Sequence, residues 1–208
     1  MKRKVIVGVS GYARAGKDTF ADILEECLPE GVEVARLKFA NPLRRALNES
    51  FKHLEVDANP WTEDNSEKEA LRPLLVSLGE FARSKNPEVF AAHVAKEATN
   101  LLNKEGMDLV LITDMRYANE LRMMRELARL EGFEFYWVSM VKIGNQPANA
   151  TEFKSFMDMH AQDNPDWECF AGEGELNLIR MLAKDFARTV LPHEWFTTSR
   201  NKSPEDHP

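Results

Sequence analysis

The pattern of apolar and polar positions along the chain predicts strands that alternate with helices. Short apolar runs, rich in β-branched residues, predict strands over residues 5–10, 32–39, 109–113 and 133–141. Apolar positions at helical spacing predict helices over residues 18–28, 43–51, 88–102, 119–131 and 176–190. Such alternation favours a mostly parallel sheet with helices on both faces and right-handed crossovers. The expected fold class is therefore α/β with three layers.

The stretch after the second predicted strand and its helix has a different character. Residues 55–69 are polar and acidic, and they predict a loop or a mobile insertion. Ser66 and Glu69 have the spacing of a capping box, which predicts a helix that runs to about residue 85. Pro73 lacks a backbone N–H and is compatible only with the first turn of such a helix.

Three other stretches are less regular. Asn41 is expected to cap a helix whose first residue is Pro42. Residues 144–162 predict an irregular surface segment. Residues 196–208 are polar and predict a disordered tail, so that residues 1–195 form a single domain.

Composition narrows the class of protein. A chain of 208 residues that is 43% hydrophobic and 29% charged can bury the core of one α/β domain. A net charge of -7 argues against a general nucleic-acid-binding surface. The apolar runs are too short to span a membrane, and a signal peptide is not expected. Cys27 and Cys169 suggest neither a disulfide framework nor a zinc site, which fits the cytoplasm.

The loop between the first predicted strand and the first predicted helix carries the clearest chemical signal. It reads Gly11-Tyr12-Ala13-Arg14-Ala15-Gly16-Lys17-Asp18-Thr19. A strand, a loop bounded by glycines and ending in Gly-Lys, and then a helix is the arrangement of a phosphate-binding P-loop. Its N–H groups and the amino end of the helix attract phosphate, and Lys17 adds charge for the β- and γ-phosphates. We therefore expect ATP binding, with Lys17 partly exposed; an ordinary glycine turn before a surface helix is the alternative.

The position after the lysine departs from the standard pattern, which has Ser or Thr there as a ligand of Mg²⁺. Asp18 occupies that position, and Thr19 follows. A carboxylate suits this hard cation, directly or through water, and the Thr19 hydroxyl could serve after a small change in geometry. The sequence leaves open which of the two is the direct ligand.

A second signal lies where the apolar run over residues 109–113 ends in Asp114. P-loop enzymes hold Mg²⁺ or its waters with an acid at this end of a buried strand, which predicts a metal role for Asp114. A helix cap is the alternative. Arg116, two residues further on, would point into the same crevice from an extended chain and bind phosphate. Surface pairing with Glu120 is the alternative for Arg116.

Other arginines could neutralise charge that develops between a phosphate donor and an acceptor. Arg14 lies in the loop, and Arg72 and Arg83 lie on the helix after the acidic stretch. Three more recur at helical spacing, namely Arg122, Arg125 and Arg129. We interpret these three as a solvated helix face balanced by Glu120, Glu126 and Glu131; a basic lid over phosphate is the alternative.

Together these residues resemble the bacteriophage deoxynucleoside monophosphate kinases over most of the chain. Residues 11–19 are similar to the Gly-x-x-x-x-Gly-Lys-Asp-Thr loop of that family, so the resemblance makes Asp after the lysine a family feature. Residues 113–120 resemble its Asp-x-Arg-x-x-x-Glu segment, and residues 72–79 resemble Arg-Arg-Leu-x-Gln-x-Leu-Gly. Residues 39–43 and Thr151–Glu152 are further matches.

The resemblance implies a P-loop kinase fold and phosphoryl transfer from ATP to a (deoxy)nucleoside monophosphate, with Mg²⁺ as cofactor. It places ATP phosphates on residues 11–19. Residues 52–104 become the helical part that binds the acceptor or acts as a lid. It makes Lys17 the cation that holds the ATP phosphates, gives Asp114 a metal role, and places Arg72 and Arg116 on phosphates or the acceptor. Together with the residue patterns above, the expectation is catalysis by Lys17, Arg14, Arg72 and Arg116, substrate binding by Arg72, Arg83, Asp114, Arg116 and Glu152, and metal binding by Asp18, Thr19 and Asp114.

Three departures from the family pattern concern the acceptor side. Pro73 replaces an arginine, Val76 replaces a glutamine, and Asn149 stands where a histidine is often found. Each removes a group that could contact the acceptor. None of them lies in the ATP loop.

Two other function classes stay open. A P-loop kinase could act on a modified nucleoside, a base in DNA or a metabolite hydroxyl, with Asp18 or Asp114 as the base. A nucleotide-binding module without catalysis is the other. The expected partner is a small nucleotide, without stable nucleic-acid or membrane binding, in the cytoplasm of the organism or of a phage host. A homodimer stays open.

Overall fold

A computed structural model describes residues 3–62 and 64–197, and the expected tail at 198–208 lies outside them. Five strands form one parallel sheet with the order β2-β3-β1-β4-β5. The strands are β1 (Val5–Ser10), β2 (Val34–Leu37), β3 (Leu109–Met115), β4 (Glu134–Lys142) and β5 (Trp167–Ala171). The first four confirm the predicted strands, with β2 shorter than expected.

Eight helices are described, and they cover both faces of the sheet. They are α1 (Lys17–Glu26), α2 (Asn41–Leu54), α3 (Asn65–Lys85), α4 (Val89–Asn103), α5 (Ala118–Glu131), α6 (Ala150–Gln162), α7 (Leu176–Thr189) and α8 (His193–Thr197). None of these helices combines the length and the apolar character that crossing a bilayer requires.

Alternate residues of the central strands pack into two separate hydrophobic cores, one on each face of the sheet. Val5, Val7 and Val9 point to the side covered by α1 and α7, where they pack with residues such as Phe20 and Phe186. On the other side, Ile6 packs with α4 and α5 in a second buried cluster. The three-layer α/β fold class is therefore confirmed, and β1, paired on both edges, is its central strand.

The prediction of an irregular segment over residues 144–162 is wrong, because α6 occupies its second half. Only Ser155 and Met159 of this helix are buried, while Phe153 and Met157 are exposed, so its apolar positions do not form one clear stripe. The strand β5 was missed because it is short and because Phe170, at an exposed position, hides the alternation of apolar and polar residues.

The start of α3 also differs from the prediction. Asp64 caps this helix by accepting a hydrogen bond from the N–H of Glu67 at 2.9 Å, so the Ser66–Glu69 capping box is wrong. Pro73 lies inside α3 and not in its first turn. It is exposed, so water can satisfy the carbonyl group that a proline leaves without a helical donor.

At the start of α2 the structure shifts the cap by one residue. Ala40 is the capping residue, Asn41 is the first residue of the helix and Pro42 follows within its first turn. Pro42 still occupies a position where no backbone N–H is needed. No side chain caps this helix at Ala40; instead, an acid from β3 holds its amino end.

Candidate functional site

The loop between β1 and α1 has the backbone of a phosphate-binding loop. Gly11 has a φ of 138°, and a Cβ there would lie 2.4 Å from the carbonyl oxygen of Met140, so only glycine fits. Gly16, with a φ of 89°, directly precedes the first residue of α1. Arg14 also has a positive φ, of 62°. The glycine spacing read from the sequence therefore produces a tight turn that aims the amino end of α1 at the loop.

Several backbone N–H groups of this loop are available for an anion. The N–H of Ala15 donates to Tyr12 at 3.2 Å, which closes the turn. By contrast, five other backbone N–H groups of the loop and the first turn of α1 have no acceptor among the described residues. They belong to Arg14, Gly16, Lys17, Asp18 and Thr19. Together with the dipole of α1, they form a concavity suited to phosphate.

Lys17 is buried and lies across the loop, contrary to the expectation that it is partly exposed. Only 8% of the residue is exposed, and its ammonium donates to the carbonyl groups of Gly11 and Tyr12, both at 2.8 Å. The pKa of Lys17 is lowered to about 8, mainly by burial and also by the positive charge of Arg116. The carboxylate of Glu152 acts in the opposite direction. The Lys17 ammonium therefore lies inside the loop and is bonded to the loop backbone. It would have to give up these hydrogen bonds in order to contact a phosphate.

Asp18 follows Lys17 at the start of α1 and is held by two neighbouring elements. Its Oδ1 accepts hydrogen bonds from the ammonium of Lys38 at 2.9 Å and from the hydroxyl of Thr113 at 2.8 Å. Partial desolvation raises the pKa of this carboxyl, but the two hydrogen bonds outweigh it and leave the pKa below its ordinary value. Lys38 could not be recognised from the sequence, because nothing in the local pattern places the end of β2 against α1.

Asp114 lies at the carboxyl end of β3, as predicted, and anchors the turn before α2. Its Oδ1 accepts from the N–H of Phe39 at 2.7 Å, and its Oδ2 accepts from the N–H of Ala40 at 3.0 Å. Burial raises its pKa, although these bonds and Arg116 favour the charged form. The Asp114 carboxylate thus binds the backbone at the amino end of α2, a neighbouring helix. The metal role and the helix-cap role would both fall on this one carboxylate.

The donors near the loop fit Mg²⁺ that arrives with nucleotide phosphates. No group of three or more His, Cys, Asp or Glu residues able to hold a metal occurs in residues 3–62 and 64–197. Mg²⁺ typically takes one or two carboxylates plus substrate phosphates and water rather than an all-protein cage. Asp18 is suited to this role because 63% of its side chain is exposed. The Thr19 hydroxyl is half-buried one position further along the same helix.

A cavity of about 430 Å³ opens beside the loop, between α2, α3, the β3–α5 turn and the start of α6. Residues 10–13 of the loop form one of its walls. Five cations line it, namely Arg44, Lys68, Arg72, Arg83 and Arg116. Four carboxylates line it too, namely Glu80, Asp114, Glu120 and Glu152. Arg44, Lys68 and Glu80 were missed, since single charged residues on helices give no sequence signal.

Arg44 is distinguished among these cations by an unsatisfied donor. Its Nε is buried, and no described residue accepts a hydrogen bond from it. Its guanidinium lies 5.7 Å from the ring centre of Trp61. A buried guanidinium N–H without an acceptor is costly, so Arg44 is held at the cavity wall at some expense of stability.

The predicted arginines are distributed unevenly. Arg72 lines the cavity and pairs at the surface with Glu69 at 3.0 Å. Arg83 is packed more deeply, with its guanidinium 4.3 Å from the ring centre of Tyr117 and 4.0 Å from a carboxylate oxygen of Glu120. Arg14 is exposed and lies outside the cavity lining, so the structure does not bring it to the acceptor side.

Arg116 points into the site, and its backbone is the part that contacts Glu120. The N–H groups of Arg116 and Tyr117 donate to Glu120 Oε2 at 2.8 and 3.0 Å. The guanidinium is exposed at the cavity, so the alternative of a surface ion pair with Glu120 is not what the structure shows. The pKa of Glu120 is raised to about 8, mainly by burial and also by the nearby charge of Asp114, although the hydrogen bonds from Arg116 and Tyr117 act in the opposite direction.

The raised pKa of Glu120 gives a testable dependence of stability on pH. The folded protein keeps a proton on Glu120 that the unfolded chain releases above its ordinary pKa of 4.5. The free energy of unfolding therefore falls as pH rises from about 4.5 to about 8, by up to about 1.4 kcal/mol per pH unit. In Glu120→Gln this fall should largely disappear, as measured by urea unfolding at several pH values. The exposed Glu126→Gln should behave as wild type, and an unchanged slope in Glu120→Gln would contradict the assignment.

The arginines of α5 form ion pairs along the surface. Arg122 pairs with Glu88 at 2.7 Å and Arg129 with Glu126 at 2.6 Å. Arg125 contacts Asp163 and Asp166, at 2.5 and 3.2 Å. The three are a balanced helix face, as interpreted, although most of the acidic partners come from other elements than expected.

The start of α6 touches the loop directly. Glu152 Oε1 accepts a hydrogen bond from the N–H of Ala13 at 2.9 Å, and the ring of Phe156 lies 4.8 Å from that of Tyr12. Both contacts join residues separated by more than 130 positions in the chain. The weak Thr151–Glu152 match thus marks a residue that meets the phosphate loop.

Comparison with known proteins gives one family match and several similar folds. No curated protein matches the chain. Similar solved structures include a mutant of the APS kinase CysC from Mycobacterium tuberculosis, 18% identical with a TM-score of 0.48, over 91% of this chain and 100% of that one. A sugar kinase from Janibacter sp. HTCC2649 is 11% identical with a TM-score of 0.45, over 90% and 93%. A putative kinase from Chloroflexus aurantiacus is 14% identical with a TM-score of 0.47, over 92% and 100%.

The family match covers most of the elements that build the site, but not the start of α6. A protein-family model described as phosphomevalonate kinase matches residues 9–129, which is more than half of the 208 residues. This range includes the phosphate loop, α2, α3 and the turn after β3. The chain therefore belongs to the phosphomevalonate kinase family of P-loop kinases.

Proposed function

We propose that the protein transfers the γ-phosphoryl group of ATP to the phosphate of a nucleoside or deoxynucleoside monophosphate, giving ADP and a diphosphate. The observation that carries this is the cavity beside the phosphate loop, which combines five cations with aromatic and apolar walls. Cations suit a phosphate group, and a wall formed by Tyr12 and Phe156 suits a flat base. Residues 52–104 contribute α3 to this acceptor side, which we expect to close over the substrates.

The residues have distinct roles in this proposal. The loop N–H groups and Lys17 bind the β- and γ-phosphates. Arg116, at the cavity edge near Lys17, contacts the transferred phosphoryl group, and Arg44 and Arg72 bind the acceptor phosphate. Arg83 is a supporting residue, because its guanidinium is packed between the rings of Phe90 and Tyr117 and lies near Glu120. Arg14, exposed outside the cavity, is left with a role limited to the outer side of the loop.

The chemistry needs charge and position more than covalent help. An oxygen of the acceptor phosphate attacks the γ-phosphorus, and the bond to the oxygen that bridges to the β-phosphate breaks, which releases ADP. The acceptor phosphate is already ionised at neutral pH, so no strong base is required. Mg²⁺, held by Asp18 or Thr19 with Asp114 nearby, would supply further positive charge at the β- and γ-oxygens. Positioning and preorganised cations supply the rest.

The family match favours a second acceptor, phosphomevalonate, after which the family is named. This acceptor also presents a phosphate to the cations, but it lacks a base for the wall formed by Tyr12 and Phe156. The two candidates therefore share the reaction and differ in what fills the apolar part of the cavity.

A screen of acceptors tests the proposal. Purified protein with Mg-ATP should release ADP rapidly only when one or a few nucleoside monophosphates are added, as measured by a coupled ADP assay. The panel should contain all common ribo- and deoxyribonucleoside monophosphates, phosphomevalonate, free nucleosides and an oligonucleotide. Turnover with phosphomevalonate alone would favour the second candidate. Turnover with a nucleoside or oligonucleotide would favour a hydroxyl acceptor, and ATP binding without any turnover would favour a binding module.

A further inference from the structure

Ala13, in the middle of the phosphate loop, is held from both sides by the connection between β4 and α6. Its N–H donates to Glu152 Oε1 at 2.9 Å, and its carbonyl oxygen accepts from Asn145 Nδ2 at 2.9 Å. Ala13 has no side chain beyond Cβ, so its backbone is the only part that polar groups can hold. A single peptide position of the loop thus has its donor and its acceptor satisfied by a distant segment.

The carboxylate that holds Ala13 is itself fixed in place. Glu152 Oε2 accepts from the N–H of Ala148 at 2.6 Å, while the N–H of Glu152 donates to the Asn149 side chain at 2.8 Å. Asn149 is the cap of α6, so Glu152 lies in the first turn of a helix whose amino end is tied down. The departure at Asn149 from the resembled family is therefore compatible with a structural role for this residue.

A second contact joins the same two elements. The ring of Tyr12, the residue before Ala13, lies 4.8 Å from the ring of Phe156, one helical turn after Glu152. Gly11, two residues before Ala13, and Arg14, directly after it, both have positive φ values. The segment that contacts α6 is thus the part of the loop whose conformation most needs outside support.

The charge of Glu152 is unfavourable for phosphate, which makes its position informative. The carboxylate is close enough to Lys17 to raise the pKa of that residue, so it lies within electrostatic reach of the phosphate site. A negative charge at this place weakens the binding of an anion, unless another contribution of the same carboxylate compensates for the repulsion. Both of its oxygens accept backbone N–H groups, and neither is directed at a cation by a short ion pair among the described residues.

We propose that Glu152 and Asn145 are positioning residues that clamp Ala13 and hold the phosphate loop in the shape that binds ATP. This rests on the proposed binding of ATP, but not on any choice of acceptor, and it reassigns Glu152 from acceptor binding to the loop. Preorganising a binding loop raises affinity because less ordering has to occur when the ligand arrives.

Binding of a non-hydrolysable ATP mimic with Mg²⁺ tests the clamp by titration calorimetry. Glu152→Gln and Asn145→Ala should each raise Kd by about 5- to 50-fold, as expected for an allosteric or positioning effect of moderate size. Gln keeps one acceptor oxygen but presents an NH₂ group to the other backbone N–H. The double variant should bind little more weakly than the weaker single variant, because both residues act on the same peptide. The control Asp158→Asn removes a charge from the exposed side of α6 and should bind as wild type.

Two further readouts separate the clamp from other roles. In nucleotide-free protein, the Ala13 amide should exchange hydrogen faster in Glu152→Gln than in wild type. The KM for the acceptor, once the screen identifies it, should change less than the Kd for the ATP mimic. Thermal unfolding of each variant verifies that it is folded. If Glu152→Gln does not fold, Asn145→Ala still tests the clamp.

Four results would overturn the inference. Tighter binding of the mimic by Glu152→Gln, with Asn145→Ala unchanged, would mean that charge repulsion outweighs the clamp. An effect confined to the acceptor KM would make Glu152 an acceptor contact. Failure of wild-type protein to bind the mimic would overturn the proposed function and this inference together, whereas normal wild-type binding with unaffected variants would overturn the inference alone.

Discussion

Replacing Lys17 by alanine is expected to lower kcat/KM for ATP by about 10²- to 10³-fold, the usual effect of removing one preorganised charge from a transition state. The reason is that the Lys17 ammonium is the cation within the phosphate loop itself, bonded to the carbonyl groups of Gly11 and Tyr12. Steady-state kinetics with the identified acceptor and titration with an ATP mimic measure the effect. Full turnover by Lys17→Ala would show that the loop is not the ATP site.

Stability distinguishes this loss from unfolding. Because Lys17 is buried, its removal leaves two carbonyl groups without their donor, but it also removes a desolvated ammonium. We expect the two effects to offset each other largely, so that Lys17→Ala unfolds within a few degrees of wild type. Lys154→Ala, which removes an exposed ammonium paired only with Asp158 at 2.6 Å among the described residues, is the matched control and should keep full activity.

The pH profile gives an independent signature of the same residue. In nucleotide-free protein the pKa of Lys17 is lowered to about 8, so the ammonium loses its proton as pH rises through that value. The kcat/KM for ATP, which reports the free enzyme, should therefore decline above about pH 8. The kcat should stay flatter, because bound phosphates favour the charged form of Lys17. A kcat/KM that is flat up to pH 10 would contradict the burial of this lysine.

Replacing Asp114 by alanine is expected to be the second most damaging change, since it affects both fold and reaction. Two buried N–H groups, of Phe39 and Ala40, would lose their acceptor, which costs about 2–4 kcal/mol of stability. The amino end of α2, which carries Arg44, would lose its anchor. We also expect kcat to fall by about 10²-fold, because a carboxylate expected to assist Mg²⁺ binding is lost together with the position of a cation.

Asp114→Asn separates the two contributions. Asparagine keeps one acceptor oxygen for the turn before α2, so most of the fold should remain, but it removes the negative charge. If Asp114 contributes to Mg²⁺ binding, the variant should need several-fold more Mg²⁺ for half-maximal rate. If it serves only the turn, the Mg²⁺ dependence should stay as in wild type. Asp166→Asn is the matched control, because Asp166 accepts a backbone N–H from Trp137 at 2.7 Å, and it precedes β5, an edge strand two places away from β1 in the sheet.

Local signals were sufficient where neighbouring residues along the chain decide the structure. The loop over residues 11–19 could be recognised because its glycines, its lysine and the strand and helix around it are consecutive. The position of Asp114 at the end of a buried strand followed from the apolar run before it, since a strand buried on both faces has no polar alternation. Gly132 at the end of α5 is a similar case, with a φ of 74°.

Prediction failed where a helix gains its stability from a few contacts rather than from a stripe. The helix α6 was interpreted as irregular because Phe153 and Met157 are exposed while Ser155 is buried. The proline inside α3 likewise misled the expectation, because local rules do not reveal that Pro73 faces water.

The sequence by itself determined the alternation of strands and helices, the phosphate loop and the acid at the end of β3, because each depends on residues that are adjacent or one turn apart. Only the tertiary structure decided the surroundings of these groups. The burial of Lys17, the bond between Lys38 and Asp18, the hold of Glu152 on Ala13 and the cations of the cavity join parts of the chain far apart in sequence. Such contacts follow from the spatial order of the parallel strands in the sheet, and no local pattern of residues encodes that order.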